Sequence, residues 1–233
     1  MKDQDQPPAR FQFASDQSLL ISFGEQISRD SHRRVVKLLR LLESEPIAGV
    51  RNLHPAYCSL LVKFNPLELR HEQLRALLEE YAGRAEALPF PEPRLVEIPV
   101  CYGGEFGPDL LDVCGLHHLP PERLIDLHSR TTYLVYFLGF APGFAYLGEL
   151  PEELATPRLP SPRRAVPAGS VGIAGNQTGV YPFETPGGWR LLGRTPVAMF
   201  RPDRQGLSLL SIGDHVRFTP ITTAQFAAME QHR

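Results

Sequence analysis

The sequence predicts an α+β protein in two parts, a ferredoxin-like α/β sandwich over residues 1–93 and an all-β barrel or sandwich over residues 94–233. Three observations predict it: strand-like and helix-like hydrophobic periods alternate through the first hundred residues, prolines 89, 91 and 93 stiffen one connection, and short strand patterns between Gly and Pro turns fill the rest.

β-Favouring and apolar residues recur from Phe11 to Phe23, which reads as a first strand ended by Gly24. Ser31 to Ser44 then sets Val35, Val36, Leu38, Leu39, Leu41 and Leu42 among charged residues, the pattern of an amphipathic helix closed by Pro46. From Val50 to Phe64 two strand-like pieces flank His54-Pro55-Ala56, and Asn65-Pro66 turns the chain into a second helix, Glu68 to Tyr81. Arg94 to Val100 is expected to be a fourth strand, completing the β-α-β-β-α-β order of a split βαβ sheet. Beyond it, Pro108–Cys114 and Pro120–His128 are short helical patterns, and Thr132–Leu138 is a strand. The series ends in a hairpin of Leu207–Ile212 with His215–Pro220 about Gly213-Asp214, and a short helix within Thr222–Arg233.

Composition narrows the function. The 24 Lys and Arg against 26 Asp and Glu give a net charge of -2, so nothing global favours nucleic acid or an anionic membrane. The 3 cysteines, Cys58, Cys101 and Cys114, show no C-x-x-C spacing, which argues against a disulfide framework or zinc site and for a reducing cytoplasm. The opening MKDQDQPPAR lacks a secretory layout and the apolar run at Leu134–Leu147 is broken by Gly139, Pro142 and Gly143, so neither export nor a membrane span is expected.

Gly139 to Pro196 is crowded with glycine, proline, aromatics and polar side chains, the composition of a shaped surface built from loops. Tyr146, Ser170, Gln177, Thr178 and Tyr181 are expected to bind substrate, with Gly143, Gly172 and Gly175 allowing backbone to come close. Arginines in the same stretch suit a carboxylate or amide-oxygen ligand. Arg158, Arg163 and Arg194 stand out because each sits against a Pro, Thr or Gly turn, whereas Arg164 and Arg190 read equally well as a solvated basic loop. Trp189 suits a stacking role or plain burial. His54 and His128 read as turn or cap residues, His117-His118 lacks the spacing of a metal pair, and no metal is expected. Ser170 lacks the G-x-S-x-G spacing of a nucleophile elbow, and GSVGIAG lacks the Lys-Ser or Lys-Thr of a P-loop.

FLGFAPGFAYLG (Phe137–Gly148), TPRLPSPRRAVPAGSVGIAGNQTGVYP (Thr156–Pro182) and PGGWRLLGRTP (Pro186–Pro196), with YGGEFGPDL, GDHVRFTPI and PAYCSLLVKF, resemble the B subunit of bacterial 5-oxoprolinase. The family is also known as allophanate hydrolase subunit 1 or kinase-inhibitor-like. The resemblance implies a cyclophilin-like β-barrel as the second domain, and a complex in which A, B and C subunits open 5-oxoproline to glutamate at the expense of ATP. It implies an A subunit that activates the lactam and a B–C pair that completes hydrolysis, with no cofactor bound by this chain alone. Arg158, Arg163 and Arg194 would stabilise developing charge in such a reaction. The other readings are an inhibitor that binds a sensor histidine kinase and, by fold analogy alone, a prolyl isomerase.

Overall fold

The computed structural model describes residues 8–90, 92–203 and 206–231. Of the expected proline connection, Pro91 lies outside the described residues, as do residues 1–7 and the last two of the tail. The chain divides into two compact units, Met1–Glu92 and Pro93–Arg233.

The first unit runs β1 (Arg10–Ser15), β2 (Ser18–Ser22), α1 (Arg29–Ser44), β3 (Val50–Pro55), β4 (Ser59–Phe64) and α2 (His71–Ala87). Its antiparallel sheet has the order β1-β2-β4-β3. The Ser28 hydroxyl caps α1 by accepting the Ser31 N–H, and the six apolar residues of the expected stripe are all buried. Arg34 of α1 donates to Glu86 of α2 at 2.6 Å and lies over the Phe23 ring, which ties the two helices together.

Three expectations fail in this unit. The first strand is a hairpin, because Ser15 accepts the Gln17 N–H and bonds the Ser18 hydroxyl at 2.7 Å, a side-chain turn that breaks the apparent run. The second helix starts three residues later and continues past Gly83, burying Ala82 and Ala85, because Asn65 holds the Leu67 N–H and Glu68 in a turn of their own. The ferredoxin-like order is not found: the chain runs β-β-α-β-β-α, and β1 takes the edge beside β2 that Arg94–Val100 was expected to fill.

That fourth strand belongs to the second unit as β5 (Leu95–Tyr102). There it lies parallel to β13 (His215–Pro220), from Leu95 opposite His215 to Val100 opposite Pro220. Between them in sequence come α3 (Leu110–His117), α4 (Pro121–Arg130), β6 (Tyr133–Leu138), β7 (Ala145–Gly148), β8 (Arg163–Val166), β9 (Ser170–Ala174), β10 (Gln177–Val180), β11 (Thr185–Gly187) and β12 (Arg190–Arg194), and α5 (Thr223–Glu230) follows. Seven strands close into a barrel in the order β10-β7-β6-β13-β5-β12-β9, while β8 and β11 form a separate ribbon. The expected hairpin partner Leu207–Ile212 is not a strand. The Asp214 carboxylate accepts the Ser211 N–H at 2.7 Å and pairs with Arg94, so the segment turns there and β13 pairs with β5 and β6 instead.

The barrel interior is apolar, with Ile98, Val100, Val135, Val171, Ile173, Val180, Leu192, Val216 and Phe218 in one cluster. Gly107 lets a loop lie against its wall, since a Cβ there would fall 2.0 Å from the Leu192 carbonyl oxygen. One polar chain runs through this interior. Thr178 donates to the Gly172 carbonyl at 3.0 Å, so its oxygen accepts the Nε2–H of His128 at 2.9 Å, and His128 Nδ1 then accepts the Tyr102 hydroxyl at 2.7 Å. His128 is therefore no cap or turn residue: it is fully buried, stacked on Phe218 at 4.8 Å, and burial lowers its pKa to about 3.

Because the unfolded chain takes up this proton near 6.5 and the folded one only near 3, the His128 contribution is intact above pH 6.5 and is lost as the pH falls towards 3. Urea unfolding at stepped pH should show a slope from this group approaching ~1.4 kcal/mol per pH unit in that window. His128→Gln, which cannot titrate, should lose that slope, and an unchanged slope in the variant would refute the assignment.

Candidate functional site

The pleat of β9 and β10 sorts the expected site residues. Val171, Ile173 and Val180 face the barrel core, so Ser170, Gly172 and Ala174 lie on the opposite face. Gln177 pairs with Ala174 and shares that face, whereas Thr178 pairs with Ile173 and is wholly buried inside. The expectation that Thr178 orients a substrate is therefore corrected, because its hydroxyl is committed to Gly172 and His128.

The outer face carries an aromatic cluster of Phe144, Tyr181 and Trp189 with Val166, Ala174 and Leu191, and Tyr146 packs against it. Edge-to-face contacts place Tyr181 5.4 Å from Phe144 and 6.5 Å from Trp189, and Tyr146 stacks on Phe137 at 4.5 Å. Trp189 is thus a buried member of the site wall. Phe140, 63% exposed, stands at the rim 6.4 Å from Tyr181.

Two of the three singled-out arginines border this cluster: Arg163 pairs with Gly187, which abuts the Tyr181 ring, and Arg158 precedes Leu159, whose N–H donates to the Gly188 carbonyl at 2.8 Å. Burial raises the Tyr181 phenol above its ordinary value, while a Trp189 backbone hydrogen bond and the charges of Arg158 and Arg163 draw it back. Burial likewise raises Tyr146, and Arg158 opposes it. Arg163 is fixed from below by Asp109, whose Oδ1 accepts its Nη2–H at 2.6 Å and whose Oδ2 accepts the Leu191 N–H at 2.7 Å. Arg158 lies exposed on the loop before β8.

Arg194 sits apart. It pairs with Ser170 across β12 and β9, on the other side of β9 from Tyr181, and its guanidinium lies 5.6 Å from the Phe106 ring centre. The Ser170 hydroxyl is buried without a hydrogen-bond partner among the described residues. Of the glycines, Gly172 touches Trp189 and Arg190, Gly143 (φ +82) abuts Phe200 and Met199, and Gly175 (φ +56) turns the β9–β10 hairpin into open space. The first two give closeness to the chain itself; only Gly175 has room beside it.

Sequence reasoning missed Asp109 and the buried role of His128. Asp109 opens α3 with no side-chain cap bond, so its sequence signal is that of an ordinary helix start, and its true partner lies 54 residues away. Among the described residues no group of His, Cys, Asp or Glu has the arrangement of a metal site, and no helix is long and apolar enough to cross a membrane. The face offers aromatic walls, the half-buried Gln177 amide and, along its border, the cations Arg158 and Arg163.

Comparison with known proteins agrees with the sequence. Residues 9–210 match the model of the "Carboxyltransferase domain, subdomain C and D" family. The 5-oxoprolinase B subunit of Bacillus subtilis is 43% identical over 226 residues, 93% of this chain and 94% of that one. Its namesake in Haemophilus influenzae is 44% identical over 211 residues, 88% of this chain and 94% of that one. The crystal structure of TTHA0988 superposes with a TM-score of 0.79 at 40% identity, covering 88% of this chain and 40% of that chain, so this chain spans less than half of TTHA0988.

Gly187 is the tightest point of the site wall, since a Cβ there would lie 2.5 Å from the Tyr181 hydroxyl oxygen. Gly187→Ala should displace the Tyr181 ring, alter the fluorescence of Trp189 and cost about 1–3 kcal/mol in denaturant unfolding. Unchanged fluorescence and stability would show that the Tyr181 hydroxyl is not held against this strand.

Proposed function

The chain belongs to the carboxyltransferase-domain family, subdomains C and D, among relatives named as B subunits of 5-oxoprolinase, and we propose that it is the B subunit of an ATP-dependent 5-oxoprolinase working with A and C subunits. The observation that carries this reading is the 43% identity to such a protein over 93% of the chain. The shared name of the curated relatives favours it over the kinase-docking alternative.

A lactam is a poor electrophile because its nitrogen lone pair is delocalised into the carbonyl. Transfer of the ATP γ-phosphoryl group to the carbonyl oxygen yields ADP and an activated carbon. Water adds there, and the ring nitrogen leaves with a proton to give an open-chain acyl phosphate. A second water then releases phosphate and glutamate. Every species carries negative charge, which positive side chains stabilise. In this reading Arg158 and Arg163 supply that positive charge, Tyr146 and Tyr181 wall the ring, and Gln177 orients it, whereas the Ser170 hydroxyl is buried away from it. Arg194, directed onto Phe106, flanks the site rather than joining it.

His128 is too deeply buried and too weakly basic to take a proton from substrate. ATP is used by the complex and is not bound by this chain alone. The free thiols Cys58, Cys101 and Cys114 fit a cytoplasmic protein.

The test is 5-oxoproline-dependent ADP release by the three purified proteins, omitting each in turn. Loss of coupled glutamate formation on omitting this chain is the expected result. Undiminished activity without it would sink the proposal.

A further inference from the structure

We propose that Arg158 and Arg163 bind the carboxylate of a small ring substrate, and that the buried Asp109 is the positioning residue that holds Arg163 for it. The identity of that substrate rests on the 5-oxoprolinase reading; the site itself rests on the geometry.

Asp109 is 4% exposed and both of its oxygens are occupied, one by Arg163 and one by the Leu191 N–H, while its own N–H donates to the Leu191 carbonyl at 3.1 Å. It is thereby clamped to the backbone of β12 and forms a fixed support rather than a mobile counter-ion. Arg163 uses one N–H on it, its Nη1 is buried without an acceptor among the described residues, and its side chain is still 29% exposed. A guanidinium with five donors and one carboxylate contact is under-used. Arg163 pairs with Gly187 across the β8–β11 ribbon, and Gly187 abuts the Tyr181 ring; Arg158, exposed and outside every ion pair seen among the described residues, immediately precedes Leu159, whose N–H donates to the Gly188 carbonyl at 2.8 Å, beside Trp189. Two cations thus border the aromatic wall, and one carboxylate, that of Asp109, is bound to Arg163, which leaves one positive charge beside the wall.

That combination selects a compact anion with a small ring, the carboxylate taken by the arginines and the ring by Tyr146 and Tyr181. A substrate carboxylate is charged before, during and after reaction. Its anchoring is therefore uniform binding and belongs in KM, whereas a contact to charge that develops in the transition state belongs in kcat.

Two ligands separate charge from ring: 5-oxoproline and its neutral carboxamide. Trp189, the only tryptophan, lies 6.5 Å from Tyr181 and reports binding to the isolated chain by fluorescence. The assembled complex then gives KM and kcat. The carboxylate should bind at least about tenfold more tightly than the carboxamide, and Arg163→Ala or Arg158→Ala should abolish the difference. In the complex each should raise KM for 5-oxoproline about tenfold or more with kcat nearly unchanged. Asp109→Asn should act on KM in the same sense, and Asp109→Glu should recover part of it. Arg158, being exposed, keeps the test decisive if an Asp109 variant fails to fold. The same response, or none, to the two ligands overturns the site, as does a fall in kcat with KM unchanged. If the complex opens no lactam while the chain keeps an Arg163-dependent preference for the carboxylate, the 5-oxoprolinase reading falls and the site stands. Turnover with a KM indifferent to both arginines removes the site and leaves the 5-oxoprolinase reading standing.

Discussion

The parallel pairing of β5 with β13 is the constraint on which the second unit depends. It joins the first strand after the boundary to the last strand before α5, and antiparallel β6 and β12 take the free sides of that pair. With its edges paired the sheet has no exposed ladder, and every strand must then present one face inward and one outward. Bringing together residues that far apart in sequence carries a loop-closure cost, which the burial of Ile98, Val100, Val216 and Phe218 helps to offset.

That division into two faces decides what each side chain can do. Inside, the chain from Tyr102 through His128 and Thr178 to the Gly172 carbonyl satisfies every polar group it brings, so the cost of burying an imidazole is met by hydrogen bonds and the ring stays neutral. Outside, β9 contributes Ala174 to the aromatic cluster and β10 sets Gln177 opposite it. Adjacent residues such as Gln177 and Thr178 therefore serve opposite ends, one the surface and the other the core.

Asp109 connects the two levels of organisation. Its carboxylate fixes the start of α3 to β12 through the Leu191 N–H and also holds Arg163 at the ribbon, so a structural tie in the wall sets the position of a surface cation. A buried ion pair is seldom retained for stability alone, since desolvation cancels much of the attraction. Holding a guanidinium in place beside a tyrosine is a use that an apolar pair of the same size would not serve.

The sequence by itself determined the local elements and the family. The stripe of α1, the strands β3, β4 and β6, the all-β character of the second part and the crowding of functional groups between Gly139 and Pro196 follow from short-range periods and turn residues, which act over a few neighbours. Only the tertiary structure decided where those elements went. Arg94–Val100 has the pattern of a strand wherever it pairs, and nothing within it specifies that its partner is β13 and not the first sheet. Ser15 and Asn65 turned the chain through side-chain bonds that hydrophobic spacing does not register. Arg163 and Arg194 look alike in sequence, yet one pairs with Gly187 beside Tyr181 and the other lies over Phe106, because strand register and the pleat, set by pairing at a distance, determine which way a side chain points.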